Sequence, residues 1–569
     1  MFKEIKIMRH IFVKTAIAGL LIAGLTSCAN DLNISSIDPQ TSQSYDDMSL
    51  LAKVYGTLGL TGQKGPAGSG DISSDEGESG FYRTTFNLQT LPTDECNWAW
   101  QTDTDIPQIT GIRWNANSAR TQWCYQRLGF NVLMCNFYLQ ETASREGEGN
   151  YTAYRAEVRF LRALYYWYFL DLWHKAPFKD ENNSMSDLPV EKGGKELYDW
   201  IDSELTAVES ILPAMGTYNN ANDFGRADQG AAYMLHARLA LNAQVYTDGA
   251  VNDYAKAISY CDKLISGPYA LSSTAKVSPA TGLTWSGYAQ LFMADNDENA
   301  NTMKEIIFPI RQDGIKTPNY SSASYLVCSI RIAGMPYPGT KNCWSCNYAR
   351  PNLIEKFFPT GNIPMSTETA PNGATESDII ALDAADGTDT KSILAAAGDD
   401  RALFYAGRGG GIRKLRTDKL NNFLDGISIV KWQNVRSDGG AVTDPEFADT
   451  DIPLFRLAEA YMTRAEAKWR TGDATAIADV NVLRNRANAK PLTALTEQDL
   501  IDEWSREFYM EGRRRSDLVR FNMFTGKSYV WAWKGGVANG QAVDSHFMVY
   551  PIPMDDINNN DNLSQNAGY

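Results

Sequence analysis

Histidine is the first residue type to test for chemistry, and there are only four in 569 residues. His174, His236 and His546 are each isolated from cysteine, carboxylate or serine at any catalytic spacing. A zinc hydrolase needs clustered nitrogen or sulfur donors, and a serine triad needs a histidine between nucleophile and acid, so neither is built from this set. Gly334-Met-Pro-Tyr-Pro-Gly339-Thr340-Lys341 imitates a phosphate loop, but it ends Thr-Lys where that loop requires Lys before Ser or Thr. Its two prolines also remove backbone donors. Gly407-Arg-Gly-Gly-Gly411 lacks the third glycine of a dinucleotide fingerprint and reads as a turn. Two acids distant in sequence still make a glycosidase if the fold brings them together, so a surface glycoside hydrolase stays open as the rival reading.

Acid clusters suggest a cation instead. Asp295-Asn296-Asp297-Glu298-Asn299 alternates oxygen donors like the start of a calcium loop, but Ala300 stands where an EF-hand needs glycine, and no glutamate fills its twelfth position. Asp449-Thr450-Asp451 is a second short acid pair. A hard cation drawing ligands from both segments is one reading, and an exposed acidic turn is the plainer one. Cys343-Trp-Ser-Cys346 has neither a second CxxC nor a histidine pair to support zinc, so a local disulfide or two free thiols is expected rather than a redox motif.

Aromatic rings carry the remaining signal. They make up 11% of the chain, with 14 Trp. Trp98-Ala-Trp100 alternates in an extended segment or lines one side of a loop, and Tyr320 and Trp344 fall in a loop-rich stretch. Apolar sugar faces stack on such rings, while Arg83, Asp75 and Asp103 are placed to hydrogen-bond hydroxyls. For any single tryptophan, core packing is the competing reading.

These candidates have to be held by helices. Tyr154, Val158, Leu161, Tyr165, Tyr168 and Leu172 recur at three- and four-residue steps and predict a helix over Tyr151–Leu172 with a wide buried face. Arg155, Arg159 and Arg162 form a second stripe, read as solvated or carboxylate-paired. Two stretches resemble each other as helical hairpins, one from Gly230 through Asp253 and one from Leu457 through Ala476. Alanines (Ala237 and Ala240, Ala465 and Ala467) permit close helix approach, and an Asp-Gly or Gly-Asp turn closes each hairpin. That is the pattern of a tetratricopeptide-like unit. Further helices are expected near Thr121–Glu141, Lys195–Leu212 and Thr496–Phe521. Between the hairpins lies an insert, about 266–449, rich in Gly, Pro, Asn and Ser. The region 61–117 has the same character, and loops on a rigid scaffold are where binding sites tend to lie.

The chain opens with Lys3, Lys6, Arg9 and Lys14 ahead of the apolar run AIAGLLIAGL, which is too short to span a bilayer, so residues 1–27 read as a signal peptide. Leu25-Thr26-Ser27-Cys28 resembles a bacterial lipobox, so Cys28 is the expected lipidation site, with acyl chains of the palmitate type holding the protein on a leaflet. Residues 28–44 form a polar tether and 45–569 a single domain. The formal charge of -15 becomes -18 once the leader's net +3 is removed, which makes nucleic acid a poor partner. The seven remaining cysteines are odd in number, and several sit in apolar helical patterns, as buried free thiols do.

The runs DEGESGFYRTTFN, LPTDECNWAW, YWYFLDLWHKAPF, LFMADNDEN, DTDIPLFRLAEAYMTRAEA, REFYMEGRRRSDLVRF and the closing YPIPMDDINNN and QNAGY resemble the SusD family (SusD/RagB) of Bacteroidetes starch-utilisation lipoproteins, across essentially the whole chain. The resemblance implies a mainly α, SusD-like fold, a tetratricopeptide-like scaffold whose long insert carries the glycan site. It also implies a place on the outer membrane facing outward, starch or maltooligosaccharide as ligand, and a SusC-like TonB-dependent transporter as partner. It further implies an arc of Trp100, Tyr320 and Trp344 with Trp98 beside it, polar contacts from Arg83 and Asp75, and a structural calcium on Asp297, Asp449 and Asp451. Asp103 departs from the starch-binding pattern, which has asparagine there. A carboxylate accepts hydrogen bonds but lacks the two amide donors. Another glycan on the same scaffold is the alternative.

Overall fold

A computed structural model describes residues 46–62, 70–75, 77–184, 186–331, 339–363, 395–405, 414–423 and 426–569. The signal peptide, Cys28 and the tether lie outside the described residues, as do Gly407–Gly411 and residues 334–338. The chain divides into Met1–Leu50, of which 46–50 are described, and Leu51–Tyr569, which holds everything below apart from the start of the first helix.

The main helices are α1 (Asp47–Gly59), α2 (Phe81–Thr90), α3 (Ala119–Glu141), α4 (Tyr151–Trp173), α5 (Gly194–Glu209), α6 (Gln229–Leu241), α7 (Tyr254–Ile265), α8 (Ala323–Ile330), α9 (Leu457–Arg470), α10 (Ala476–Arg486), α11 (Glu497–Phe508) and α12 (Arg514–Arg520). From α3 to α7 each helix packs on the next, then α7 packs on α9 and α9 on α10. The two predicted hairpins are therefore neighbours, and the insert leaves the ladder after α7 and returns at α9. Each hairpin turn places glycine in the left-handed region, Gly249 at φ 82° and Gly472 at φ 80°, where a side chain would be strained. The stripe on α4 is carboxylate-paired. Arg159 and Arg162 share Glu204, at 2.7 Å each, and Arg162 also meets Glu181.

Two expectations need correction. The predicted helix over Thr496–Phe521 is broken into α11 and α12, with Met510 (φ 60°) and Gly512 (φ 70°) turning the chain between them. The region 61–117 contains the wholly buried helix α2, whose polar composition hides it from hydropathy patterning. Burial is tolerated because polar groups are satisfied inside: Thr84 and Thr85 hydroxyls donate to carbonyls one turn back, and Asn87 accepts from Tyr325 Oη at 2.6 Å.

The insert and the segment before α3 form a small antiparallel sheet. Strands β1 (Cys96–Trp98), β2 (Ile306–Ile310), β3 (Asn347–Ala349), β4 (Phe404–Tyr405), β5 (Ser428–Ile429) and β6 (Ile452–Arg456) give one sheet in the order β1-β3-β5-β4, while β6 pairs separately with β2. In the β1–β3 ladder Cys96 lies opposite Ala349 and Trp98 opposite Asn347.

Buried ion pairs lock this sheet to the scaffold. Asp94, just before β1, takes a bidentate pair from Arg514 (2.8 and 2.9 Å), a bond from Lys356 Nζ (2.7 Å) and one from Tyr529 Oη (2.7 Å). Arg520 makes a bidentate pair to Glu466 on α9 at 2.8 Å twice, and Arg513 reaches Glu459 at 2.9 Å. The charged run EGRRRSDLVRF thus joins the second hairpin to the strand that leads into the tryptophan motif.

Candidate functional site

The β1–β3 register brings distant aromatic residues to one place. Beyond Trp98, Ala99 N–H donates to Cys346 O at 2.6 Å, so Trp100 emerges alongside the CWSC segment. That segment runs beside the end of α8, with Trp344 N–H on Cys328 O and Cys346 N–H on Ser329 O, each at 2.9 Å. Tyr320 and Trp344 then meet with ring centroids 5.1 Å apart and planes tilted by 53°. Phe447 also contacts Tyr320, with centroids 5.1 Å apart and planes tilted by 44°. Trp100 is 40% exposed and is steadied edge-on by Phe423 at 5.5 Å.

Polar groups fix Tyr320 further. Its hydroxyl bonds Glu446 and accepts from Asn342 Nδ2 at 2.8 Å, and Lys341 Nζ pairs with Glu446 at 2.6 Å. Burial, followed by the bond to Glu446, pushes the Tyr320 phenol well above its ordinary value, so it stays a protonated hydroxyl. The Lys341 bond, with help from Tyr320, holds the Glu446 carboxyl below its ordinary value.

Beneath this surface lies a support layer. Trp98 is 2% exposed, stacks on Tyr325 at 5.3 Å and 25°, and donates from Nε1 to Asp103 Oδ2 at 3.0 Å. It sits under the platform rather than on it. Because an indole N–H asks only for an acceptor, aspartate serves at position 103 as well as asparagine would. The Arg83 guanidinium covers the Tyr325 ring at 4.4 Å and reaches Tyr320 O at 3.4 Å, while its Nε has no protein hydrogen bond among the described residues. Asp75 is exposed on the loop before α2. Gly77, at φ 88°, seats that loop directly on the Tyr320 backbone, where a Cβ would come within 2.4 Å of a carbonyl carbon. Tyr325, Phe423, Phe447, Asn342 and Glu446 escaped the sequence reading. Only Asn342 carried a signal, two residues from Trp344.

The acid segments converge elsewhere. Pairing of β6 with β2 sets Asp451 beside Arg311, whose guanidinium bridges Asp297 (2.8 Å) and Asp451 (3.0 Å). Asp449 accepts from Gly314 N–H at 2.8 Å and Thr443 N–H at 2.7 Å instead. Burial raises the Asp297 and Asp451 carboxyls above their ordinary values, and Asp451 Oδ2 meets Arg311 Nε as an ion pair without hydrogen-bond geometry. No group of three or more His, Cys, Asp or Glu has metal-holding geometry among the described residues. The donor set still fits a hard cation in its chemistry: oxygen ligands, two of them poorly neutralised.

All seven described cysteines are free thiols, Cys343 and Cys346 included. His236 is buried between Asp202 (3.2 Å) and Glu209 (3.4 Å), a core position flanked by two carboxylates.

A helical ladder presenting loop-borne aromatic rings with flanking hydroxyl-binding groups has the build of a carbohydrate-binding protein. The chain is 53% identical to the starch-binding protein SusD of Bacteroides thetaiotaomicron, over 99% of both chains, and the SusD family model matches residues 304–569. It belongs to the SusD family. Among solved structures, a SusD-like protein from Bacteroides fragilis shares the fold with a TM-score of 0.64 at 20% identity, covering 94% of this chain and all of the other. Surface glycan-binding protein A from Bacteroides thetaiotaomicron, in complex with laminarihexaose, matches with a TM-score of 0.61 at 17% identity over 91% and 98%.

Proposed function

We propose that this protein is a surface lipoprotein of the outer membrane, anchored through Cys28, that captures starch or maltooligosaccharide without cleaving it and passes it to a SusC-like TonB-dependent transporter. The observation that carries this is the platform: Tyr320 and Trp344 inclined at 53° beside the exposed ring of Trp100. Inclined rings follow a bent sugar surface, such as a helical α-1,4-glucan, better than a flat one. Weak single contacts suffice, because a polymer presents many repeats to an anchored protein. No helix among the described residues is long and apolar enough to cross a membrane, so acyl chains on Cys28 supply the attachment. The ladder from α3 to α10 serves as a tetratricopeptide-like scaffold. Co-sedimentation with insoluble starch tests the reading: the protein pellets with the granules, and no new reducing ends enter the supernatant. Protein left in solution, or accumulating reducing ends, contradicts it. The laminarihexaose complex of a structural neighbour favours, as second reading, a different glucan on the same platform.

The acid site is proposed to hold a structural calcium on Asp297, Asp449 and Asp451, with the 40% exposed Arg311 side chain giving way to it. Millimolar calcium is then expected to raise Tm by about 2 °C or more through binding to the folded state alone. Chelation reverses the shift, and Asp451→Asn abolishes it. A Tm indifferent to calcium and chelator would mean that Arg311 alone neutralises the acids.

A further inference from the structure

A cavity of about 430 Å³ lies among Trp533, Asn352, Asn539 and the segment Arg416–Asp418. That volume falls within the range of small-ligand sites, roughly 300–1,000 Å³. Trp533 is its distinctive residue. It has φ 68°, in the left-handed region that bulky side chains avoid, and it stands in the glycine-rich turn WKGGVANG, where Gly535 and Gly536 adopt similar angles. Glycine would hold this backbone without strain, yet the position carries an indole. Among the described residues no aromatic ring or cation stacks on Trp533, whereas its neighbour Trp531 is buried at 1% and packs on Phe524 and Tyr529. The half-buried indole is thus committed to no partner ring, and it lines the cavity.

The other walls mix small apolar side chains (Pro351, Val530, Ala532 and Ala538) with polar groups that are neutral on balance. Arg416 pairs with Glu355, and Asp418 pairs with Lys414 at 2.5 Å. Asn352 uses its Oδ1 to accept Ala532 N–H at 3.1 Å, leaving its amide donors free of protein bonds among the described residues, as are the side chains of Thr417 and Asn539. An indole with amide and hydroxyl groups around it suits a ligand with an apolar ring face and a hydroxyl rim. It does not suit a phosphate, which would call for unpaired cations.

The cavity is also tied to the platform. The segment that supplies Arg416, Thr417 and Asp418 continues to Phe423, the ring that steadies Trp100. Seven residues at about 3.6 Å each put the two ends no more than about 25 Å apart, within reach of one oligosaccharide. We infer that the Trp533 cavity is a second carbohydrate subsite, separate from the Trp100–Tyr320–Trp344 platform, that takes another stretch of the same polyhydroxylated chain. The class of ligand rests on the glycan-binding reading, while the existence of the site rests on its own geometry.

Fluorine NMR of the mature chain labelled with 5-fluorotryptophan tests this, the Trp533 line being assigned by Trp533→Phe. Maltoheptaose at millimolar concentration is expected to shift the Trp533 line saturably, both in the native protein and when Trp100, Tyr320 and Trp344 are all alanine. Thr417→Ala with Asn539→Ala should weaken that titration several-fold in the triple-alanine protein. A Trp533 line that stays fixed with maltoheptaose, laminarihexaose, dextran and inulin overturns the inference, even if the Trp100 and Trp344 lines move. So does a Trp533 shift that vanishes in the triple-alanine protein, since it then reports the platform's ligand. A moving Trp533 line beside fixed Trp100 and Trp344 lines upholds the subsite and overturns the platform reading instead.

Discussion

Trp100→Ala weakens maltoheptaose binding by about 30-fold, and alanine at Trp100, Tyr320 and Trp344 together removes measurable binding, with no change in Tm beyond a few degrees. The magnitude follows from what each ring does. An exposed aromatic anchor at the centre of a binding surface is worth about 2 kcal/mol, and each 1.4 kcal/mol is a factor of ten. Trp100 is 40% exposed and meets Phe423 in a T-shaped contact, so ring surface is available to ligand and its loss leaves little cavity. Tyr320 differs, because its hydroxyl holds Asn342 and Glu446. Tyr320→Phe therefore keeps the stacking face but frees that pair, and it costs less than Tyr320→Ala. Titration calorimetry on the single and triple variants checks the series.

Asp94→Ala destabilises the fold by about 3–5 kcal/mol, the cost of leaving buried cations without their partner. Arg514 is 1% exposed and Lys356 8%, and both lose their carboxylate at once. Removing the exposed Lys195–Asp199 pair on α5, where the side chains are 54% and 51% exposed, costs less than about 1 kcal/mol. Since whole domains are stable by only about 5–15 kcal/mol, the first change is a large share and the second is not. The pH dependence has a definite sign. Although burial pulls the other way, Arg514 and then Lys356 hold the Asp94 carboxyl far below its ordinary value. Its contribution is therefore present above the unfolded value, about pH 4, and fades as pH falls below it. Urea unfolding of wild type and Asp94→Ala at pH 7 and pH 3 should show the gap narrowing in acid.

The helical ladder could be read from the sequence because its signals are local. The stripe Tyr154, Val158, Leu161, Tyr165 repeats within one helix, and α4 begins at the predicted residue, Tyr151. Helix α2 was hidden because burial there depends on hydrogen bonds to remote partners, such as Asn87 to Tyr325, which no hydropathy window registers. The α11–α12 break was hidden because Met510 takes the left-handed angle usually signalled by glycine. At the site, Trp100, Tyr320 and Trp344 were candidate stacking rings from their place in loop-rich stretches, but their grouping in one arc came through family resemblance, since nothing local links Trp100 to rings more than 200 positions away. What joins them is the β1–β3 register, a property of the fold. Trp98 was misplaced for the opposite reason. Residues two apart share one face only while the strand continues, and here β1 ends at Trp98, so its ring turns inward to Tyr325 while Trp100 remains outside. The acid site shows the same limit: the family resemblance supplied Asp297, Asp449 and Asp451, but the guanidinium of Arg311 between two of them comes only from β2–β6 pairing.

The central claim is a platform of inclined rings selecting a bent α-glucan, and calorimetry with a panel of maltoheptaose, cyclodextrin, dextran and inulin tests it most directly. Saturable heat with maltoheptaose and cyclodextrin, reduced by Trp100→Ala, is the predicted result. Heat with inulin alone, or with dextran while maltoheptaose gives none, would contradict it.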